Sequence, residues 1–445
     1  MSKIKLNLKE EGVIYFINIL FQKIIAFITL TFLANNIIPE IFGQYIYILS
    51  LVSIFILISH FGIPILLVKN ISSKKHKVSE HNSLCSSIIF SFLLSFFTQI
   101  VIYFFLKLFF KNLIDLEVLN LVFVYLILTS IYQISSSICI GLSFPVKGQW
   151  PEIYLKNLFF LFIIIFYKDL NLVLIFKSLI FLTLLSVFII FISLFNPLKY
   201  YFKNFYYFKF EKKVVYSLIS LGLASLLSSI ITRMDVFMIE YYLDYKHVAI
   251  YNIAFQVGLI PLFLAISINA ILSPKVSELF AKRHFQKLNV ILGSSRLIFF
   301  IFNIIFLLFY KLFLLKIFSF IFPELYSLSL TYSYFFIYYC VFISLVYFAD
   351  TCLVMTGNQK IVIYSYLFAI IFNFILNVLL IPVFGVRGAL IGTIISLITF
   401  NLINFFALRL IIKKKTRLKK IIFLIIDSLK KEKSKILSTY VNFRK

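Results

Sequence analysis

The sequence has 445 residues, of which 62% are hydrophobic, 19% aromatic and only 13% charged, with a mean hydropathy of +1.04. Globular domains run at roughly 45–50% apolar and about 25% charged residues, so this composition excludes an ordinary soluble protein, and its wealth of Ile, Phe, Tyr and Leu excludes a disordered one. The 43 Lys+Arg against 17 Asp+Glu leave a net charge of +26; on so apolar a chain this asks which membrane face holds the positive charge.

A helix crosses the ~30 Å hydrocarbon core in about 20 apolar residues. In chain order, stretches of that kind fall at 12–34, 44–68, 83–108, 119–140, 152–167, 173–196, 214–241, 248–273, 294–318, 328–356, 361–381 and 388–411. The first is too long for the apolar region of a signal peptide and reads as the first anchor. The fifth is short and contains Lys156.

Charge placement tests the count. Alternate gaps are basic: the N-terminus (Lys3, Lys5, Lys9), 69–82, Lys147, 197–213, 274–293, Lys360 and the segment 412–445 hold about thirty of the 43 cations. The intervening gaps hold only Lys111, Lys168, Lys246 and Arg387. Such an alternation is lost if a span is missed or invented, and it predicts both termini on the cytoplasmic side. The run LKKIIFLIIDSLKK at 418–431 can place Ile421, Leu424, Ile425 and Leu429 on one helical stripe. It reads as an amphipathic helix on the anionic inner leaflet, with a partner-binding tail as the alternative.

Four cysteines (Cys85, Cys139, Cys340, Cys352) lie inside apolar runs without a C-x-x-C pair, and the five histidines show no metal-ligand spacing. Neither a disulfide framework nor a metal or other cofactor is expected.

The two halves carry weak internal likeness. Phe42, Gly43 and Tyr45 pair with Val248, Ala249 and Tyr251 at an offset of 206 residues, and Gly148-Gln149 with Gly357-Asn358 at 209. With six spans each, the halves have the same orientation, related by a pseudo-two-fold axis along the membrane normal. The expected fold class is thus all-α integral membrane, with twelve transmembrane helices in two six-helix bundles. The divisions are an N-terminal bundle at 1–196, a basic cytoplasmic linker at 197–213, a C-terminal bundle at 214–411 and a basic amphipathic cytoplasmic tail at 412–445.

The stretch from Asn373 to Thr393, NFILNVLLIPVFGVRGALIGT, resembles the "LNLLLIPxxGxxGAAxAT" segment of Wzx-type polysaccharide flippases, members of the multidrug/oligosaccharidyl-lipid/polysaccharide exporter (MOP) superfamily. Ile38–Tyr45 is similar to that family's "LGPxxFGxY" after its first helix, Thr232–Asp235 to its "xxRxD" and Ile271–Pro274 to its "xxxP". Gly392 stands where the family usually has a second Ala, and no "GP" precedes Tyr251. The resemblance implies a flippase for undecaprenyl-diphosphate-linked oligosaccharide in a bacterial inner membrane, serving O-antigen or capsule synthesis. Implied partners are that lipid-linked oligosaccharide, membrane lipids, a polysaccharide polymerase and a chain-length regulator, with no nucleic acid.

Such a cargo brings a diphosphate and sugars through hydrocarbon, so intramembrane cations and polar groups are the expected signature. Lys107, Lys177, Arg296, Lys311, Lys316 and Arg409 lie within about two turns of a predicted span end and are expected to snorkel. Lys23, at the midpoint of the first span, is expected to face a cavity. Arg233 has two readings, a cavity cation or an ion pair with Asp235 or Glu240; Lys156 is intermediate. Asp350 reads as a proton or Na+ site for coupling, or as a neutraliser of a lumen cation. Asn373 and Asn377 share a helical face and suit either interhelical hydrogen bonds or sugar contact. Pro64 and Pro261 are expected to kink corresponding spans of the two halves. A drug/cation antiporter of the same superfamily is disfavoured by the excess of intramembrane cations. A membrane-embedded polymerase is disfavoured by outward gaps of about ten residues or fewer.

Overall fold

The computed structural model describes residues 8–74, 81–110, 113–142, 144–167, 170–203, 212–282 and 284–412. Residues 413–445 of the tail predicted at 412–445, and residues 204–211 of the linker predicted at 197–213, lie outside them. Among the described residues the regular structure is helical throughout, as it must be where no water can satisfy backbone groups unless a closed barrel forms.

The helices are α1 (Leu8–Asn36), α2 (Pro39–His60), α3 (Ile63–Lys74), α4 (His81–Phe109), α5 (Leu116–Gly141), α6 (Pro145–Trp150), α7 (Phe160–Phe166), α8 (Leu172–Lys203) and α9 (Lys212–Tyr242). They continue with α10 (Tyr245–Gly258), α11 (Leu262–Ala281), α12 (Phe285–Phe309), α13 (Leu315–Ile321), α14 (Ser327–Ile343), α15 (Ala349–Met355), α16 (Gln359–Phe384) and α17 (Val386–Ile412). A π-helical segment, Pro151–Phe159, joins α6 to α7. Ten helical stretches are long and apolar enough to cross a membrane, and α10 with the first part of α11, bent by 54°, makes an eleventh. α1 is a further apolar helix of 29 residues. Each of the twelve predicted spans therefore has its helix, and the chain is an all-α integral membrane protein.

Three spans are broken. The second turns at Phe61 and Gly62 (φ 28° and 79°), the eighth at 259–261, and the tenth between Ile343 and Ala349, where Phe348 is left-handed at φ 67°. Pro64 is the second residue of α3 and Pro261 immediately precedes α11. Both prolines thus start a new helix at the break, where a missing N–H costs nothing. The third break has no proline within it and is not legible from sequence.

The motif at 381–388 forms the turn between α16 and α17. Gly385 takes φ 59° and ends α16, its N–H bonding Ile381 O at 2.8 Å, the left-handed stop that glycine makes without steric cost. Gly388 opens α17 so close to Leu380 O that an added Cβ would lie 2.2 Å from it. The offset of 206 also has a structural counterpart, since α2 and α10 start at Pro39 and Tyr245. The offset of 209 does not: Gly148 lies inside α6, whereas Gly357 (φ 80°) is in the turn before α16.

The described chain divides into two compact units. Unit 1 comprises 1–253, 319–329 and 374–389. Within it α5 packs on α8 and α3, and α2 on α9. Ser130 Oγ on α5 lies 3.3 Å from Ser59 Oγ of α2 and 2.6 Å from Ser95 Oγ of α4, a chain of small polar contacts typical of close membrane helices. Unit 2 comprises 254–318, 330–373 and 390–445. Its α11 packs on α12 and α15, and Tyr339, Cys340 and Ile343 form a buried cluster with Leu259, Leu262, Tyr347 and Leu397 around it.

Candidate functional site

An ionisable group inside a span must be paired, hydrogen-bonded or open to a water-filled cavity. Asp235 of α9 is fully buried. Its Oδ2 accepts a hydrogen bond from Tyr251 Oη on α10 at 2.5 Å, and its Oδ1 one from Asn377 Nδ2 on α16 at 2.7 Å. These three residues all belong to unit 1. These donors compensate a carboxylate removed from water, in the way such groups are tolerated at depth.

The reading of Arg233 as an ion-pair partner is corrected. Among the described residues it forms no ion pair with Asp235 or Glu240; residues two apart on a helix point in different directions, and Asp235 is engaged by Tyr251 and Asn377 instead. Arg233 is half-buried, with Tyr251 as its electrostatic neighbour. Glu240, also half-buried, sits beside Tyr47 and Tyr245, whose rings meet edge-on at 5.5 Å. Lys23 is exposed on α1. Asn373 and Asn377 are both fully buried one turn apart on α16, and the bond of Asn377 to Asp235 is an interhelical one.

Lys156 and Glu152 lie on the π-helical segment. That segment starts at Pro151, which can neither donate to the carbonyl four residues back nor fit beside it, and such changes of register recur at functional sites. Lys156 Nζ stands 3.7 Å from Glu152 Oε1 and 5.3 Å from the centre of the Tyr125 ring. The pair borders a cavity lined by Thr129, Tyr132, Gln133, Glu152, Lys156, Thr183 and Ser186, with room for about one water molecule. All seven carry a side-chain hydrogen-bonding group. Behind them His60 Nε2 lies 2.7 Å from Gln133 Oε1. Only Lys156 of this set is marked by the sequence; the others are ordinary polar residues spread over α2, α5, the π-helical segment and α8.

In unit 2 the expectation that Arg296 snorkels is corrected. α12 begins at Phe285, so Arg296 lies three turns inside it. Its Nε donates to Tyr347 O at 2.9 Å in the broken tenth span, and its guanidinium covers the Phe405 ring at 4.9 Å. The freed carbonyl of the break supplies a partner that an unbroken helix would not. Asp350, in the first turn of α15, has a buried Oδ1 that meets no donor among the described residues. No group of three or more His, Cys, Asp or Glu that could hold a metal occurs among the described residues.

Residues 8–280 match the profile of a family described as polysaccharide biosynthesis protein, and residues 221–379 match that of MatE. No curated protein sequence is significantly similar to the chain. Among solved structures, an inward-facing multidrug resistance MATE family transporter of the MOP superfamily superposes with a TM-score of 0.70 at 15% identity, covering 90% of this chain and 96% of that one. An outward-facing form gives 0.65 at 14%, covering 91% and 95%. A MOP superfamily transporter from Pyrococcus furiosus, whose reversed binding-pocket polarity is described as suggesting a different function, gives 0.66 at 13%, covering 91% and 95%.

Proposed function

The chain belongs to the polysaccharide biosynthesis protein family and has the fold of membrane transporters of the MOP superfamily, and we propose that it is a flippase for undecaprenyl-diphosphate-linked oligosaccharide. It moves repeat units for O-antigen or capsule from the inner to the outer leaflet of the bacterial inner membrane by alternating access, with both termini cytoplasmic. The observation that carries this reading is the family match over 8–280, more than half of the chain.

The chemistry agrees with an anionic, sugar-bearing cargo. Lys23 and Arg233 offer cations within spans and, among the described residues, neither has a carboxylate partner. Lys156, Asn373 and Asn377 add polar contacts. Asp235, Glu240 and Asp350 balance charge or couple transport to an ion. With the cell interior negative, exporting a headgroup of two negative charges gains about 4–5 kcal/mol per 100 mV, provided no protein cation travels with it. The membrane potential alone can therefore bias the direction. The process makes and breaks no covalent bond.

Deleting the gene in its host and replacing it on a plasmid tests the reading. The expected result is loss of surface polysaccharide, accumulation of lipid-linked repeat units on the cytoplasmic leaflet, and recovery on complementation. The MatE match at 221–379 favours a second reading, a drug/cation antiporter. Unchanged polysaccharide together with new sensitivity to cationic drugs would establish that one instead.

A further inference from the structure

The cavity beside Glu152 and Lys156 has a sharply unequal balance of donors and acceptors. Thr129 Oγ1 donates to Tyr125 O at 2.8 Å, Thr183 Oγ1 to Leu179 O at 2.8 Å, Ser186 Oγ to Leu182 O at 2.9 Å and Tyr132 Oη to Gly148 O at 2.8 Å. A hydroxyl has one proton. With that proton committed to the main chain, Thr129, Thr183 and Ser186 can offer the cavity only lone pairs, and Tyr132 Oη, which also accepts from Glu152 N at 3.1 Å, is already engaged both ways. The Glu152 carboxylate is a fourth acceptor. Protons come from two groups alone: the Lys156 ammonium, and the amide of Gln133, whose Oε1 is held by His60.

A phosphate oxygen is an acceptor and would meet four acceptors, one of them charged. An uncharged hydroxyl both donates and accepts. Glu152 and Lys156 are 3.7 Å apart, too far for a direct hydrogen bond, and a hydroxyl between them can donate to the carboxylate while accepting from the ammonium. The space admits one water-sized group. Access is available as well. The Glu152 side chain is 32% open and that of Lys156 16%, and an ionisable group within a span opens to water rather than to hydrocarbon.

We propose that this cavity in unit 1 is a hydroxyl-recognition subsite for the sugar part of the cargo, taking one hydroxyl group between Glu152 and Lys156 and rejecting the diphosphate. This rests on the flippase reading and deepens it. Lys156 then serves sugar selection, and the diphosphate is left to other cations such as Lys23 and Arg233.

Trp150 is exposed and lies outside the cavity lining, so binding is followed by isothermal titration calorimetry rather than by fluorescence. The full-length protein in lipid nanodiscs is titrated separately with two probes. One is the dephosphorylated oligosaccharide released by mild acid from the host's surface polysaccharide; the other is inorganic pyrophosphate. The saccharide is expected to bind saturably, and pyrophosphate is expected not to displace it. Glu152→Gln and Lys156→Met are each expected to weaken saccharide binding roughly tenfold or more, the loss of a hydrogen bond to a charged group. Unfolding temperature confirms that each variant is folded, and competition between the two probes on the unmodified protein needs no variant at all. Displacement of the saccharide by pyrophosphate, or no saccharide binding at all, overturns the subsite; the latter leaves a structural water as the occupant. Transport of the lipid-linked unit is measured in vesicles from the same preparation. Transport without saccharide binding sinks the subsite alone, whereas absence of transport sinks the flippase reading.

Discussion

Asn377 Nδ2 donates a 2.7 Å hydrogen bond to Asp235 Oδ1, joining two fully buried residues 142 positions apart in the sequence. The bond ties α16 to α9 and supplies a donor that helps make a buried carboxylate tolerable in unit 1. Asn377→Leu removes that donor and leaves the charge, so a stability loss of about 1–3 kcal/mol is expected. Asp235→Asn removes the charge itself and is expected to cost less. Thermal unfolding in detergent measures both, and equal losses would show that the hydrogen bond is not what holds the pair.

Gly43 of α2 packs so closely on Tyr245 that an added Cβ would lie 1.7 Å from that residue's carbonyl oxygen. Main chain cannot swing aside as a long side chain can. Gly43→Ala is expected to destabilise the protein by about 3 kcal/mol or more. Gly357→Ala meets open space and only a left-handed backbone at φ 80°, worth about 1–2 kcal/mol. The yield of monodisperse protein and its unfolding temperature give the comparison. A milder effect at Gly43 than at Gly357 would contradict the close approach.

Arg296 holds the break in the tenth span through Tyr347 O. Arg296→Lys keeps the charge but loses the Nε donor and the planar contact with Phe405. Amide exchange within 344–350 is expected to speed up about tenfold or more, with α12 itself unaffected. Hydrogen-exchange mass spectrometry in nanodiscs reads this directly, and unchanged protection at 344–350 would remove Arg296 from that role.

Asp244 caps α10, accepting hydrogen bonds from His247 N at 2.8 Å and His247 Nδ1 at 2.7 Å. Partial burial pushes its carboxyl up, but the bonds from His247 outweigh this and hold it below the usual carboxylate range. A depressed folded-state value stabilises the protein above the unfolded value, about 3.9, and that contribution fades as pH falls through the folded value. Asp244→Asn is therefore expected to lower the unfolding temperature at pH 7 and to make little difference well below pH 4. An equal deficit at both pH values would show that ionisation of Asp244 plays no part.

Lys23→Ala and Arg233→Ala are expected to abolish surface polysaccharide while membrane levels of the protein stay normal. Lys177, paired with Glu117 at 3.3 Å in an exposed position, serves as the comparison, and its replacement by Ala is expected to leave polysaccharide unchanged, as exposed pairs contribute little. Quantifying polysaccharide and protein in the same cells decides it. Normal polysaccharide in both the Lys23 and Arg233 variants would sink the cation path.

Pro64 and Pro261 illustrate how far local rules reach. Both mark breaks because a ring without an N–H is easiest to seat at a helix start, a property of the residue itself. The break before Ala349 rests instead on Phe348 adopting φ 67° while Arg296, from a different helix, takes up the carbonyl of Tyr347. No residue within 344–348 announces that arrangement.

Hydrophobic run length and the alternation of basic gaps are sums over many residues, so a single chain read alone determined the twelve spans, their order and the predicted orientation. Which polar groups meet was decided only by tertiary structure. The membrane forces each buried polar atom to find a partner, yet any of several serines, threonines, asparagines and tyrosines could serve. Packing selected Tyr251 and Asn377 for Asp235 rather than the nearby Arg233, and gathered Thr129, Gln133, Thr183 and Ser186 around Glu152 and Lys156. The +26 charge thus speaks mainly of topology, while the chemistry offered to a cargo depends on contacts that only the folded helices bring together.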